Sequence, residues 1–88
     1  MAWRIEYVRS AEKQLGRIDR TWQRRILDYM DDTIGTLDNP HERGKALVGD
    51  QGGFWRYRVG DYRVICAIDE TTRVIEVLKV GHRRDVYD

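Results

Sequence analysis

The chain has 88 residues, room for a single domain spanning residues 1–88 and for one small core. At 41% hydrophobic and 35% charged it has the composition of a small globular domain, not of a disordered segment, and no apolar run approaches the ~20 residues of a membrane-spanning helix. The 16 Lys and Arg against 15 Asp and Glu give a net charge of +1, which excludes a global field that draws the chain to nucleic acid.

Residues Trp3 to Val8 alternate in part, with Trp3, Ile5 and Tyr7 on one side, and read as a short strand. Arg4 and Glu6 stand where a signal peptide carries its apolar stretch. Ser10 is an N-cap candidate with Glu12 in the first turn, and Ala11, Leu15 and Ile18 follow at helical spacing. Asp19 is placed to cap a second helix whose apolar stripe is Trp22, Ile26, Met30, Ile34 and Leu37, and Asp38-Asn39-Pro40 stops it. Two amphipathic helices with so short a link predict a helical hairpin. Residues 41–53 are polar and glycine-bearing, a predicted loop. Phe54 to Val59, Tyr62 to Asp69 and Arg73 to Val80 read as three strands, joined by a two-residue turn at Gly60-Asp61 and a turn at Glu70-Thr71-Thr72. The predicted fold class is α+β: an N-terminal strand, a helical hairpin, then a three-stranded antiparallel meander (β-α-α-β-β-β), with the helices on one face of a mainly antiparallel sheet.

The first hairpin yields to arithmetic. With Gly60 and Asp61 as its loop, Val59 faces Tyr62, Arg58 faces Arg63, Tyr57 faces Val64, Arg56 faces Ile65 and Trp55 faces Cys66. Alternation then turns Trp55, Tyr57, Val59, Tyr62, Val64 and Cys66 toward the helices and leaves Arg56, Arg58 and Arg63 on the other face. Like charges directly opposed weaken a hairpin, so stability alone selects against Arg58 facing Arg63, whereas a surface that holds a polyanion gains from it. Arginines splayed into water, or paired with Asp61 or Asp69, are the alternative. The predominance of arginine over lysine, which occurs only at Lys13, Lys45 and Lys79, suits bidentate recognition of phosphate or carboxylate; a genomic compositional bias accounts for it equally. A three-residue turn after Asp69 sets Lys79 opposite Arg63 on this face and puts Glu76 on the helix side; a two-residue turn sends Lys79 to the core side.

The tail gathers His82, Arg83, Arg84 and Tyr87 just after a strand. His82 is suited to proton transfer or to a polar surface. Tyr87 is suited to anchoring the terminus or, with its phenolate favoured by neighbouring cations, to acting as a base. The lone Cys66 makes no internal disulfide and points to a reducing cytosol. His41 and His82 lack any carboxylate–histidine motif, so no metal site is expected, and there is neither a P-loop nor a dinucleotide fingerprint.

The order of elements, the helix exit Asn39-Pro40-His41, the run Gly44-Lys45-Ala46-Leu47, the hairpin Gly60-Asp61-Tyr62-Arg63-Val64-Ile65 and the closing Val80-Gly81-His82-Arg83-Arg84-Asp85-Val86-Tyr87 together resemble the RelE/ParE toxin superfamily. The resemblance covers essentially the whole chain, and its tail is similar to the RelE branch. It implies a microbial RNase-like RelE fold and a cytoplasmic toxin of a type II toxin–antitoxin system. The implied activity is that of a metal-independent, ribosome-dependent endoribonuclease: a ribose 2′-hydroxyl of mRNA in the A site attacks the adjacent phosphate, without a cofactor. By position, Arg56, Arg58, Arg63, Arg83 and Tyr87 match the family's catalytic residues. Arg58 and Arg63 would clamp the scissile phosphate, Arg83 would serve the leaving oxygen, and Tyr87 would be general base or stacking platform. Some RelE proteins carry lysine on the second strand; Arg56 and Arg58 are poor proton shuttles but good phosphate clamps and so are electrostatic there, which leaves the base to Tyr87 or His82. Lys45, Lys79, His82 and Arg84 are candidate substrate contacts. Lys13, Arg17, Arg20, Arg24, Arg25 and Lys45 form a docking surface for ribosomal RNA or are ordinary solvated charges. With Asp88 following the tail at once, the C-terminal helix of several relatives is not expected. The implied partner is an acidic antitoxin that wraps sheet and helices in a hetero-oligomer. On the same fold the alternatives are a ParE-like inhibitor of DNA gyrase without nuclease activity, and a degenerate member that only binds its partner.

Overall fold

The computed structural model describes residues 2–47 and 53–82. Strand β1 (Arg4–Tyr7) leads into helix α1 (Arg9–Gly16) and helix α2 (Arg20–Asp28). After a short strand β2 (Lys45–Ala46) come β3 (Trp55–Val59), β4 (Tyr62–Asp69) and β5 (Val74–His82). The sheet order is β1-β5-β4-β3-β2, with β1 parallel to β5 and every other pair antiparallel. The expected strand, helical hairpin and meander are all present, and β2 adds a fifth strand within the segment read as loop. Among the described residues no helix is long and apolar enough to cross a membrane.

Helix α1 starts earlier than Ser10 would have it. The Val8 N–H bonds the Val77 carbonyl at 3.1 Å, which holds Val8 extended, and the Glu12 N–H then closes on the Val8 carbonyl. The strand thus fixes the cap position, and no side chain caps it. Asp19 caps α2 as expected, its carboxylate accepting the Thr21 N–H at 3.1 Å. The α-helix then gives way to one π turn (Tyr29–Thr33) and a 3-10 turn (Ile34–Thr36). The stripe explains the change. Ile26, Met30 and Ile34 are all fully buried, but residues repeating every four positions overshoot a 3.6-residue turn, and a wider turn takes up that drift.

These side chains close the core against Tyr57, Val64, Cys66, Ile75, Val77 and Val80 from the sheet. Tyr57 shows how far the ordering extends. Its ring is fully buried and its hydroxyl donates to the carbonyl of the buried Pro40 at 2.7 Å, tying β3 to the turn that Asn39 caps. A Tyr57→Phe variant is expected to lose about 1–2 kcal/mol, because the Pro40 carbonyl is left buried without its donor. Thermal unfolding checks this as a fall in Tm of about 5–10 °C.

The β3–β4 register matches the predicted one pair for pair, from Trp55 opposite Cys66 to Val59 opposite Tyr62. Gly60 has φ +60° while Asp61 does not take a positive φ, the turn form that places glycine first. A Cβ at Gly60 would also run into the Trp22 ring, which leans on the turn and meets Tyr62 at 5.7 Å.

The β4–β5 pairing differs from the prediction. The connecting loop is four residues, Glu70 to Arg73, with Asp69 accepting the Thr71 and Thr72 N–H groups and Arg73 at φ +57°. Further along, Ile65 faces Lys79 but Cys66 faces Val77, so Leu78 is an extra residue in a β-bulge. Lys79 therefore lies on the predicted face but opposite Ile65, and Gly81 is the residue opposite Arg63. Glu76 is exposed beside Ala67 on the outer face, not on the helix side. The bulge shifts the alternation by one, so that Val77 and Val80 are both buried while Glu76 and Lys79 both stay out.

Candidate nucleic-acid interface

The outer face of the sheet carries two adjacent rows of cations. Lys45, Arg56, Ile65 and Lys79 form one row across β2, β3, β4 and β5. Arg58, Arg63 and Gly81 form the next. Arg58, Lys45 and Lys79 are exposed and Arg63 is half-buried. Arg56 does not splay into water, as the alternative reading of this face had it, since only 9% of it is exposed. Leu47, next to β2, bonds the Phe54 carbonyl through its N–H and packs with Ile65 in a small apolar cluster of its own. Arg56 is thus held in place between Lys45 and Ile65, while Arg58 and Lys79 reach outward.

Opposed arginines on neighbouring strands have Cβ atoms about 5 Å apart, a spacing at which two guanidinium forks can grip one phosphate. A cleft of about 290 Å³ adjoins the same face at the β2 edge, between Tyr29, Arg43, Lys45, Arg56 and Arg58. Gly44, at φ +79°, lies on the Trp55 and Tyr57 rings, and the Trp55 indole N–H donates to the Arg43 carbonyl at 2.6 Å.

His82 is not on this face. It ends β5 opposite Tyr62, on the helix side, with the two rings edge to face at 5.7 Å. Arg83, Arg84 and Tyr87 lie outside the described residues. Burial pushes the Tyr7 and Tyr57 phenols and the Cys66 thiol well up, so none of the three serves as a base near neutral pH. On the helices, Arg24 pairs with Asp28 at 3.7 Å and Arg25 lies 4.8 Å over the Trp22 ring, so these two cations have local partners. Among the described residues no group of three or more His, Cys, Asp or Glu side chains is placed to hold a metal ion.

The family model described as the ParE toxin of type II toxin-antitoxin system, parDE, matches residues 5–87. The chain belongs to that family, within the RelE/ParE toxin superfamily. It is 41% identical over 51 residues to Toxin RelE of Mycobacterium tuberculosis, a match that covers 58% of this chain and spans about half, 53%, of that relative. It is 25% identical to Toxin RelG of the same organism over 88 residues, 99% of this chain and 98% of the relative. In fold it is similar to the toxin–antitoxin complex RelBE2 of Mycobacterium tuberculosis, with a TM-score of 0.84 at 21% identity over 92% of this chain and 98% of that one. The archaeal RelE–RelB complex of Pyrococcus horikoshii follows at 0.73 and 27% identity, over 98% and 100%.

For this toxin the sequence reading found the cations of the outer face but missed Gln14, Asp19 and Tyr62, which line one groove at the other end of the sheet with Arg17, a residue read only as part of a docking surface. The signal for Gln14 was in the sequence: it is a polar residue on the stripe side of α1, between Ala11 and Ile18.

Proposed function

We infer that this toxin is a ribosome-dependent endoribonuclease that inhibits translation by cutting mRNA in the A site. The observation that supports the reading is the direct opposition of Arg58 and Arg63 on the outer face, flanked by Lys79 and Lys45. That is a costly arrangement for a plain hairpin and a fitting one for a phosphate gaining charge. In the reaction the ribose 2′-oxygen forms a bond to phosphorus and the bond from phosphorus to the 5′-oxygen breaks. The 2′-hydroxyl proton passes to a base and the leaving 5′-oxygen takes up a proton, giving a cyclic phosphate and a 5′-hydroxyl. Arg58 and Arg63 hold the phosphate, with Arg56 as an electrostatic support behind them. Tyr87 or His82 is the base and Arg83 serves the leaving oxygen, while Lys45, Lys79 and Arg84 contact the RNA, as does His82 where Tyr87 is the base. The partner is an acidic antitoxin, in keeping with the toxin–antitoxin complexes that share the fold.

The test is cleavage of mRNA on programmed ribosomes by the purified toxin without added metal, mapped by primer extension beside free RNA. The expected result is cuts confined to the A-site codon. Intact mRNA with folded toxin overturns the reading and favours the alternative of a ParE-like inhibitor of DNA gyrase, which a supercoiling assay then reads.

A further inference from the structure

Strand β1 covers only the first part of β5. Its pairing ends with Tyr7 opposite Val77, so from Leu78 onward that edge of β5 has no strand beside it among the described residues. Gln14 of α1 reaches in, its Oε1 accepting the Val80 N–H at 2.8 Å. Between this edge and the α1–α2 link lies a groove of about 500 Å³. That is within the range of about 300–1,000 Å³ that small-molecule sites occupy.

The groove adjoins the phosphate clamp. Gly81, which lines it, is the cross-strand partner of Arg63, one strand spacing of about 4.8 Å away, and Lys79 borders both. Its walls carry what a nucleobase needs. Tyr62 and His82 supply aromatic surface, with Tyr62 braced by Trp22. The bond to Val80 fixes the Gln14 amide and so orients its nitrogen as a donor. Asp19 gives one carboxylate oxygen to Thr21 and keeps the other as an acceptor, and the exposed Arg17 adds donors. Aromatic faces with donors and acceptors beside a cationic rim are how single-stranded RNA bases are held, whereas a bare phosphate site needs only the cations.

We propose that this groove takes the base of the RNA nucleotide adjoining the scissile phosphate, stacked on the face of one of the two rings, Tyr62 or His82, with its edge against the other, and hydrogen-bonded by Gln14, Arg17 and Asp19. The proposal rests on the nuclease reading, which is what puts a phosphate on Arg63. It makes the toxin itself a reader of one base.

The test is an NMR titration of the full chain with the four ribonucleoside 5′-monophosphates and, separately, with ribose 5-phosphate. The expected result is saturable shifts of the Val80 and Gly81 amides and of the Gln14 side-chain amide that differ among the four bases. An Arg17→Ala change, at an exposed position, is expected to raise the fitted Kd about tenfold. Ribose 5-phosphate giving the same shifts as all four nucleotides, or an unchanged Kd for Arg17→Ala, overturns the proposal. The titration needs no ribosome, so the two readings fail separately. Base-dependent shifts from a toxin that leaves ribosome-bound mRNA intact keep the base site and discard its place beside a cleaved bond. Base-independent shifts from a toxin that cuts discard the base site alone.

Discussion

An Arg63→Ala toxin is expected to fold as its parent does and to cut ribosome-bound mRNA about 10²- to 10³-fold more slowly. The two halves of this expectation have different causes. Arg63 stands opposite Arg58, so its removal relieves a like-charge contact worth some tenths of a kcal/mol, which offsets packing lost with the half-buried side chain. The rate falls because one of the two forks on the phosphate is gone as charge builds there. Arg63→Lys separates charge from geometry: it keeps the charge, loses the bidentate fork and should fall between parent and alanine variant. Removing Arg58 as well should cost less than the product of the two single losses, since both act on one phosphate. Single-turnover cleavage beside circular-dichroism melting measures all of this. Parental cleavage by a folded Arg63→Ala toxin overturns the clamp.

A Gly44→Ala change is expected to cost about 3 kcal/mol, with no charge altered anywhere. Gly44 has φ +79°, which an alanine adopts only under strain. An added Cβ would lie 2.7 Å from the Trp55 indole nitrogen and 2.9 Å from Tyr57 Cδ1, and it would collide with the backbone carbonyl of Arg56. A side-chain tip can swing aside; a strand carbonyl moves only if β3 moves. Urea unfolding should show a lower midpoint at an unchanged slope. Cleavage should fall too, because the displaced segment leads into Lys45, which pairs with Arg56.

The hairpin that carries the proposed clamp was legible because its turn leaves no freedom. Gly60 and Asp61 fix every pair from Val59 back to Trp55, and strict alternation then decides which side chains face the helices. What stayed hidden depends on contacts between distant parts of the chain. Strand β2 is two residues long and exists through its pairing with β3. Arg56 is buried on the face where Leu47 packs with Ile65, a packing that no local pattern encodes. The start of α1 is set by Val8 bonding Val77, 69 positions on in the chain, which overrides Ser10 as a cap. The Leu78 bulge has no signature of its own, although the two candidate registers already conflicted, since each left a charged side chain facing the core.

That bulge has a consequence for how this toxin can change by mutation. It is a phase shift within one strand. Before it, Val74 to Val77 keep step with β1 and with the core; after it, Lys79 to His82 keep step with the cations and the groove. Substitutions at Ile75 and Val77 are felt as folding stability, and those at Lys79 and Gly81 as charge and shape at the end proposed to meet RNA. At Lys79 and Gly81 a lineage can therefore retune charge and shape without renegotiating whether the chain folds.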